Sequence, residues 1–413
     1  MELNKVSLEQ WQDIEILIQL VETHGLTPYV AFQIIERIPH VSKGNGEDTG
    51  LYKDCVRLFG ILNDREQKEI EILDLLKSIN IAYKPFLKNL ADSDGYKVCK
   101  TDNLSTRYYR YLQTIWRESK GLPVKNKEGQ PNSEVYGNYT SDPNGNFMTP
   151  YIQRLVDEEL ANKGDRLIDE KRLRENLLSS QPLCFNLFGE LKRGSDKALK
   201  FFNIIYKDYF CSIDNILFEH NPARRDPRLT GDRSAFDVFI EYTSRGSKKG
   251  FIGIEVKYAE TLREGADSVQ DILNKQFCDD SRSRKERYEE LSEGLFKRED
   301  FKLLETLPYF QIWRDHLLAV SMCKAFPEKY EEGFFMFLSP HTNIQCRKAV
   351  NNYKDLLLEK DRLKSHFDIQ WLEDFIDTLN IVYNEDWTQE MGQRYLGRES
   401  KSGELRELKW NLK

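Results

Sequence analysis

Asp237 is followed 18 residues later by Glu255-Val256-Lys257. Glu-x-Lys by itself carries little, since it also occurs at Glu66/Lys68, Glu190/Lys192 and Glu407/Lys409, each in a helix-like or charged context. Glu255 and Lys257 instead interrupt an apolar run, GFIGIEVKY. Two carboxylates and an ammonium brought together in a partly buried place are costly if left unpaired. A divalent cation relieves that cost. Mg²⁺ takes oxygen ligands, commonly one or two carboxylates completed by water and phosphate oxygens. Held in that way it stabilises charge on a phosphate and lowers the pKa of a bound water. A neighbouring Lys orients that water or meets the developing negative charge. The same residues can instead form a plain cross-strand salt bridge, Asp237 or Glu255 with Lys257. Spacing alone leaves both readings open.

Strands are the elements that must position these side chains. SAFDVFIEYTS (234–244) and GFIGIEVKYAE (250–260) are rich in Ile, Val, Phe and Tyr and bounded by turn residues, as strands are. RGSKKG (245–250) between them is a hairpin signal. Side chains alternate along a strand. Glu255 and Lys257 therefore share a face, with Ile252, Ile254, Val256 and Tyr258 on the other. Gly253 lies on the Glu255 face and leaves room there for a ligand. In the preceding strand Phe236, Val238, Ile240 and Tyr242 make an apolar face and Asp237 the opposite one. NILFEH (215–220) and FFMFLSP, ending at Pro340, are further strands. Helical patterns at 195–210, 264–278, 284–298 and 308–325 lie between and around them, which argues an α/β core.

Upstream, residues 7–80 read as helices, with Trp11, Ile14, Leu17, Ile18 and Val21 at helical spacing. A small helical bundle or a winged-helix-like DNA reader both fit that pattern. TRYYRYLQTIWRE (106–118) is an aromatic-rich helix, and helices follow at about 150–162 and 169–179. Between them, 121–150 is rich in Pro, Gly and Asn and marks a domain boundary or a functional loop. Past residue 350 the pattern is again helical. The reading is an N-terminal helical domain (1–100) for targeting, regulation or oligomerisation, a core (101–345), and a C-terminal helical extension (346–413).

A net charge of −7 excludes a globally basic nucleic-acid coat, though not a local basic groove. Seven scattered cysteines without a CxxC pair argue against a disulfide framework and a zinc ribbon. No apolar run approaches a membrane span, and the first residues read as an amphipathic helix rather than a signal peptide. A cytoplasmic location is expected. There is no phosphate-binding GxxxxGK[ST] loop and no GxSxG elbow. Cys184 reads as a packed thiol, and the six histidines make no metal-ligand spacing; His220 and His316 fall in the motif segments, where core or loop roles are favoured over lining the site.

Asp237…Glu255-x-Lys257 resembles the motif of the PD-(D/E)XK nuclease superfamily, with Phe236 standing where that motif has proline. The longer segments NLLSSQPLCFNLFGEL (176–191), ILFEHNPARRDPRLTGDRSAFDVFIEY (216–242), FIGIEVKYAE and YFQIWRDHLLA (309–319) resemble bacterial, restriction-endonuclease-like members of it. The resemblance runs over roughly 105–340 and on to RYLG (394–397). It implies an α/β fold of the PD-(D/E)XK type, a mixed sheet flanked by helices, to which the residue pattern adds helices at the N- and C-terminal sides. It implies Mg²⁺, for which Mn²⁺ can substitute, held by Asp237 and Glu255, with Lys257 positioning a water.

Glu190 is a candidate for the extra acid on the first core helix, or else a solvated helix end beside Lys192. Glu219 faces the same site or is an edge-strand charge. Gln311 and Arg314, three apart, share a helix face. By resemblance Gln311 supports the site and Arg314 contacts a phosphate; the plain alternative is an amphipathic helix with a surface ion pair. Arg225, Arg233, Lys248 and Lys249 are candidate nucleic-acid contacts, with Arg224, Arg228 and Arg245 nearby, or solvated loop charges. The expected activity is metal-dependent DNA endonuclease action in restriction or anti-phage defence. The alternatives are a catalytically degenerate nucleic-acid-binding or assembly module, and an exonuclease or repair nuclease. The partners that follow are DNA, a second copy in a homodimer, and a partner protein from a defence operon.

Overall fold

A computed structural model describes residues 104–125, 137–164, 166–222, 226–232, 234–260, 262, 266–276 and 283–397. The expected N-terminal domain (1–100), Arg224, Arg225 and Arg233 lie outside the described residues. The helices are α1 (Leu104–Ser119), α2 (Pro150–Ala161), α3 (Glu170–Glu175), α4 (Ser180–Arg193), α5 (Ser195–Ile205), α6 (Ala266–Leu273), α7 (Arg284–Ser292), α8 (Phe301–Leu304), α9 (Tyr309–Ala325), α10 (Ile344–Leu356), α11 (Arg362–Ser365), α12 (Leu372–Tyr383) and α13 (Asp386–Leu396). The strands are β1 (Phe210–His220), β2 (Phe236–Ser244), β3 (Lys249–Val256), β4 (Glu332–Ser339) and β5 (Phe367–Trp371).

The sheet grows outward from the expected hairpin. β2 and β3 pair antiparallel, Val238 against Ile254 and Tyr242 against Gly250. The turn closes with the Ser247 amide on the Ser244 carbonyl at 2.9 Å, and Ser247 takes φ 61°. β1 pairs antiparallel with β2 on the other side. It starts at Phe210, earlier than expected, because its first half is polar (Cys211, Ser212, Asp214) and its register slips twice, between Phe210 and Ser212 and between Ile213 and Asn215. Such bulges bend a strand and break the period-two pattern.

β4 lies parallel to β3 and is buried along its whole length, as its near-continuous apolar sequence requires of a strand covered on both faces. β5 lies parallel to β4. This corrects the reading of 346–413 as wholly helical: Phe367–Trp371 completes the sheet, whose order is β1-β2-β3-β4-β5. The result is the expected mixed sheet between helical layers.

Alternation divides the core in two. Val238, Ile240, Ile254, Val256, Met336 and Leu338 point to the α2, α4, α5 and α12 side, where they meet Ile152, Phe188, Phe201 and Phe375. Phe239, Phe251, Phe335 and Phe337 point to the α7, α9 and α10 side, against Tyr288, Trp313, Leu317 and Val350. Each such side chain, fully buried, contributes about 1.5–3 kcal/mol.

α4 sits deepest, buried from Ser180 to Leu191. Ser179 caps it, its hydroxyl accepting from the Gln181 amide, and Lys192 and Arg193 occupy its last turn, where cations suit the dipole. Among the described residues no helix is long and apolar enough to cross a membrane.

Candidate active site

Strand register builds a row of carboxylates. Phe218 pairs with Val238 and His220 with Phe236, so Glu219 falls opposite Asp237. Val238 pairs with Ile254, so one step further Asp237 falls opposite Glu255. Three acids thus stand on three neighbouring strands, each strand about 4.8 Å from the next. Asp237 Oδ2 accepts from the Val256 amide at 2.8 Å, which ties the two central strands together at this level.

Lys257 is the first residue past β3. Its amide donates to the Leu338 carbonyl of β4 at 2.9 Å, and its Nζ stands 2.6 Å from Glu255 Oε1. Gln311, on the first turn of α9, donates Nε2 to the same Oε1 at 2.9 Å. Gln311 and Glu255 are only 8% and 7% exposed, so these contacts are shielded from water. The salt bridge set against metal chemistry in the sequence reading is therefore present, along one strand rather than across two. Arg314, one turn on, places Nε 3.4 Å from Asp315 Oδ1.

Charge is crowded here. Asp237 is pushed well above the usual carboxylate range by burial, then by Glu255 and Glu219. Burial, helped by Glu255, pushes Glu219 up to about 7, against the hydrogen bond from Gln181 Nε2 to Glu219 Oε1 at 2.7 Å. Asp315 is pushed up to about 8 by burial, with Glu255 adding and Arg314 opposing. Burial alone would lower Lys257; Glu255, Asp237 and Glu260 outweigh it and hold the ammonium charged.

A family model described as the PD-(D/E)XK nuclease superfamily matches residues 100–397, more than half of the chain. The chain belongs to the PD-(D/E)XK nuclease superfamily. No curated protein and no solved structure matches it. Membership points to nuclease chemistry and hence to a nucleic-acid substrate, and PD-(D/E)XK nucleases generally use divalent metals.

The donor set fits such a metal. With Glu255 Oε1 taken by Lys257 and Gln311, and Asp237 Oδ2 by Val256, Glu255 Oε2 and Asp237 Oδ1 have no protein hydrogen bond among the described residues. Among those residues no group of three or more His, Cys, Asp or Glu is arranged to hold a metal ion. Two carboxylate oxygens, with the remainder from water and substrate, is the arrangement Mg²⁺ commonly accepts.

Other candidates from the sequence fall elsewhere in the PD-(D/E)XK core. Glu190 accepts from Thr149 Oγ1 at 2.6 Å and lies 3.6 Å from Arg193. The carboxylates meet α4 at its N-terminus, through Gln181, and Glu190 is nine residues further on, about 13 Å at 1.5 Å per residue. It is not a solvated end: it is buried, as a partner of the Thr149 cap of α2, and makes no contact with Asp237, Glu255 or Glu219. Lys249 pairs with Asp214 at 3.2 Å, and Lys248 sits in the turn beside it. Both are at the far end of β3, about 20 Å from Glu255 at 3.3 Å per residue. Arg245 is there too, near Asp208.

The space expected over Gly253 is also filled. A Cβ there would lie 2.4 Å from Phe236 Cε1, so the ring of the residue before Asp237 occupies it. Phe236 consequently packs with Phe239 and Phe335, not with Val238 as the alternation predicted. His316 is a core residue, as read, bonded to Tyr353 and Ser365. The sequence reading missed Gln181, Asp315 and Glu260. Gln181, Glu260 and Asp315 all stand inside the resembling segments, which is the signal the sequence offered for them.

Proposed function

We propose that this protein is a metal-dependent DNA endonuclease acting in restriction or anti-phage defence. The observation that carries the reading is the pair of free oxygens, Asp237 Oδ1 and Glu255 Oε2, beside an ammonium fixed on Glu255. Asp237 and Glu255 would hold Mg²⁺, or Mn²⁺ in its place. When bound, the ion supplies Lewis-acid stabilisation of the scissile phosphate and a more acidic water.

This chain's own residues do the rest. Gln311 and Lys257 both grip Glu255 Oε1 and so set the direction of Oε2. An ammonium has three donors; Lys257 gives one to Glu255 and has two for a water and a phosphate oxygen. It would hold the water in line with the P–O bond that breaks and meet negative charge as the water oxygen bonds to phosphorus. Arg314, beside Asp315, is the cation on α9 best placed for a flanking phosphate. The setting in defence, a homodimer, a partner protein from a defence operon and action on DNA rest on the family resemblance, and a cytoplasmic location on the scattered cysteines.

Covalently closed and linear DNA, incubated with Mg²⁺, test the reading. Loss of closed circles with wild type, but not with EDTA, Glu255→Ala or Lys257→Ala, is the expected result. Cutting of linear DNA alone would make it an exonuclease. Undiminished cutting by both variants would displace the site, and absence of Mn²⁺ binding by wild type would leave a binding or assembly module.

A further inference from the structure

Past Lys257 the chain makes a turn, 257–260, whose last side chain folds back into it. Glu260 Oε2 accepts from the Tyr258 amide at 2.9 Å. Its Oε1 accepts from the Ser180 amide, the first residue of α4, at 2.8 Å, and from Arg172 Nη2 at 2.9 Å. One carboxylate thus ties the end of the strand bearing Glu255 to the start of the deepest helix.

Each end of the tie is itself fixed. Arg172 Nε donates to Ser179 Oγ at 2.7 Å, and Ser179 caps α4. Asn343 Nδ2 donates to the Tyr258 and Glu260 carbonyls at 3.0 and 3.2 Å, and Thr106 Oγ1 to the Ala259 carbonyl at 3.1 Å. The positive end of α4 is filled by an internal anion, as its dipole favours.

We propose that Glu260 is a positioning residue for Lys257. Its carboxylate fixes the 257–260 turn on the N-terminus of α4, so that the ammonium keeps its place against Glu255 and Asp237. The catalytic consequence rests on the nuclease reading; the anchoring itself does not. Three donors converge on two oxygens. Glutamine offers one oxygen and turns an NH₂ toward a donor, so it cannot reproduce the tie.

Full-length Glu260→Gln and Ser180→Pro test this. Proline is accepted at the first helical position, and Ser179 at ψ 144° is already extended, as a residue before proline must be. Glu260→Gln is expected to lower kcat on plasmid DNA about 10- to 100-fold, with KM and Mn²⁺ affinity within about twofold of wild type. Ser180→Pro is expected to lower kcat in the same way, and amide exchange over 257–260 to rise in both.

Wild-type kcat in Glu260→Gln, or unchanged exchange over 257–260, overturns the proposal. So does an equal loss of Mn²⁺ affinity, which would mean general damage to the site. Faster exchange in the variants of a protein whose wild type cuts nothing would sink the nuclease reading and leave the anchoring in place.

Discussion

Alanine at position 253 would set a methyl group against the ring of Phe236. The added Cβ would stand 2.4 Å from Cε1 and 2.6 Å from both Cδ1 and Cζ, where non-bonded carbons settle at about 3.5–4.0 Å. The ring would have to retreat by about 1 Å. It has nowhere to go: Phe236 is fully buried, with Phe239 at 5.9 Å and Phe335 at 6.5 Å between ring centres. Overpacking of this kind costs about 1–3 kcal/mol.

The ring belongs to the residue before Asp237, so its retreat also disturbs the 2.8 Å contact between Asp237 and the Val256 amide. A misplacement of about 1 Å near reacting groups costs about 100-fold in rate. Urea unfolding of Gly253→Ala should therefore show about 2 kcal/mol less stability, together with a large loss of metal-dependent cleavage. Phe236→Leu trims the ring and should relieve the clash, so that the double variant is at least about 0.5 kcal/mol more stable than the two single costs summed. Wild-type stability in Gly253→Ala, or strictly additive costs, would show that the ring does not occupy that space.

Gln311→Ala should lower metal-dependent cleavage about 10- to 100-fold by freeing Glu255 while its melting temperature stays near wild type; unchanged cleavage would remove Gln311 from the site. Glu190→Gln should cut as well as wild type and lose only about 1 kcal/mol from the altered Thr149 contact; a cleavage defect matching that of Glu255→Ala would return Glu190 to the site. His316 is pushed down to about 3 by burial, while its Nε2 faces the Ser365 carbonyl and its Nδ1 the Tyr353 hydroxyl. The unfolded chain takes up that proton near pH 6.5, so this histidine's contribution is fully present above 6.5 and is lost as pH falls toward 3, at up to about 1.4 kcal/mol per unit. Unfolding of wild type and His316→Gln at pH 7.5 and 5 checks the sign: the wild type should lose more on acidification, and an equal loss would refute it.

The hairpin was legible because both its strands alternate and RGSKKG (245–250), where they meet, carries turn formers. β4 was legible as an uninterrupted apolar run. β5 was not: Asp368 and Gln370 alternate with its apolar residues, and Trp371 leads straight into α12, so five residues of strand read as the start of a helix. The acid pair and its lysine followed from period-two spacing, whereas their surroundings did not. Alternation put Phe236 on the wrong face because it ignores what a neighbouring strand omits, here a side chain at Gly253. The motif marked α4 as the first core helix but not which of its ends meets the sheet, and Gln181 rather than Glu190 holds that end. Lys248 and Lys249 are close to Glu255 in sequence, and a straight strand carries them away from it.

The two carboxylates and the lysine are completed by contacts of different reach. Asp237 and Glu255 lie 18 positions apart and meet across a single hairpin, a local pairing. The amide of Lys257 is held by Leu338, 81 residues further along, on a strand that pairs in parallel. Distant parallel pairings form late, since the ordering of a long crossover must come before the contact that rewards it. A chain still being synthesised therefore contains both acids and Lys257 before the strand that anchors the lysine exists. The cluster is assembled last at its lysine, and only a chain extended past β4 carries the whole of it.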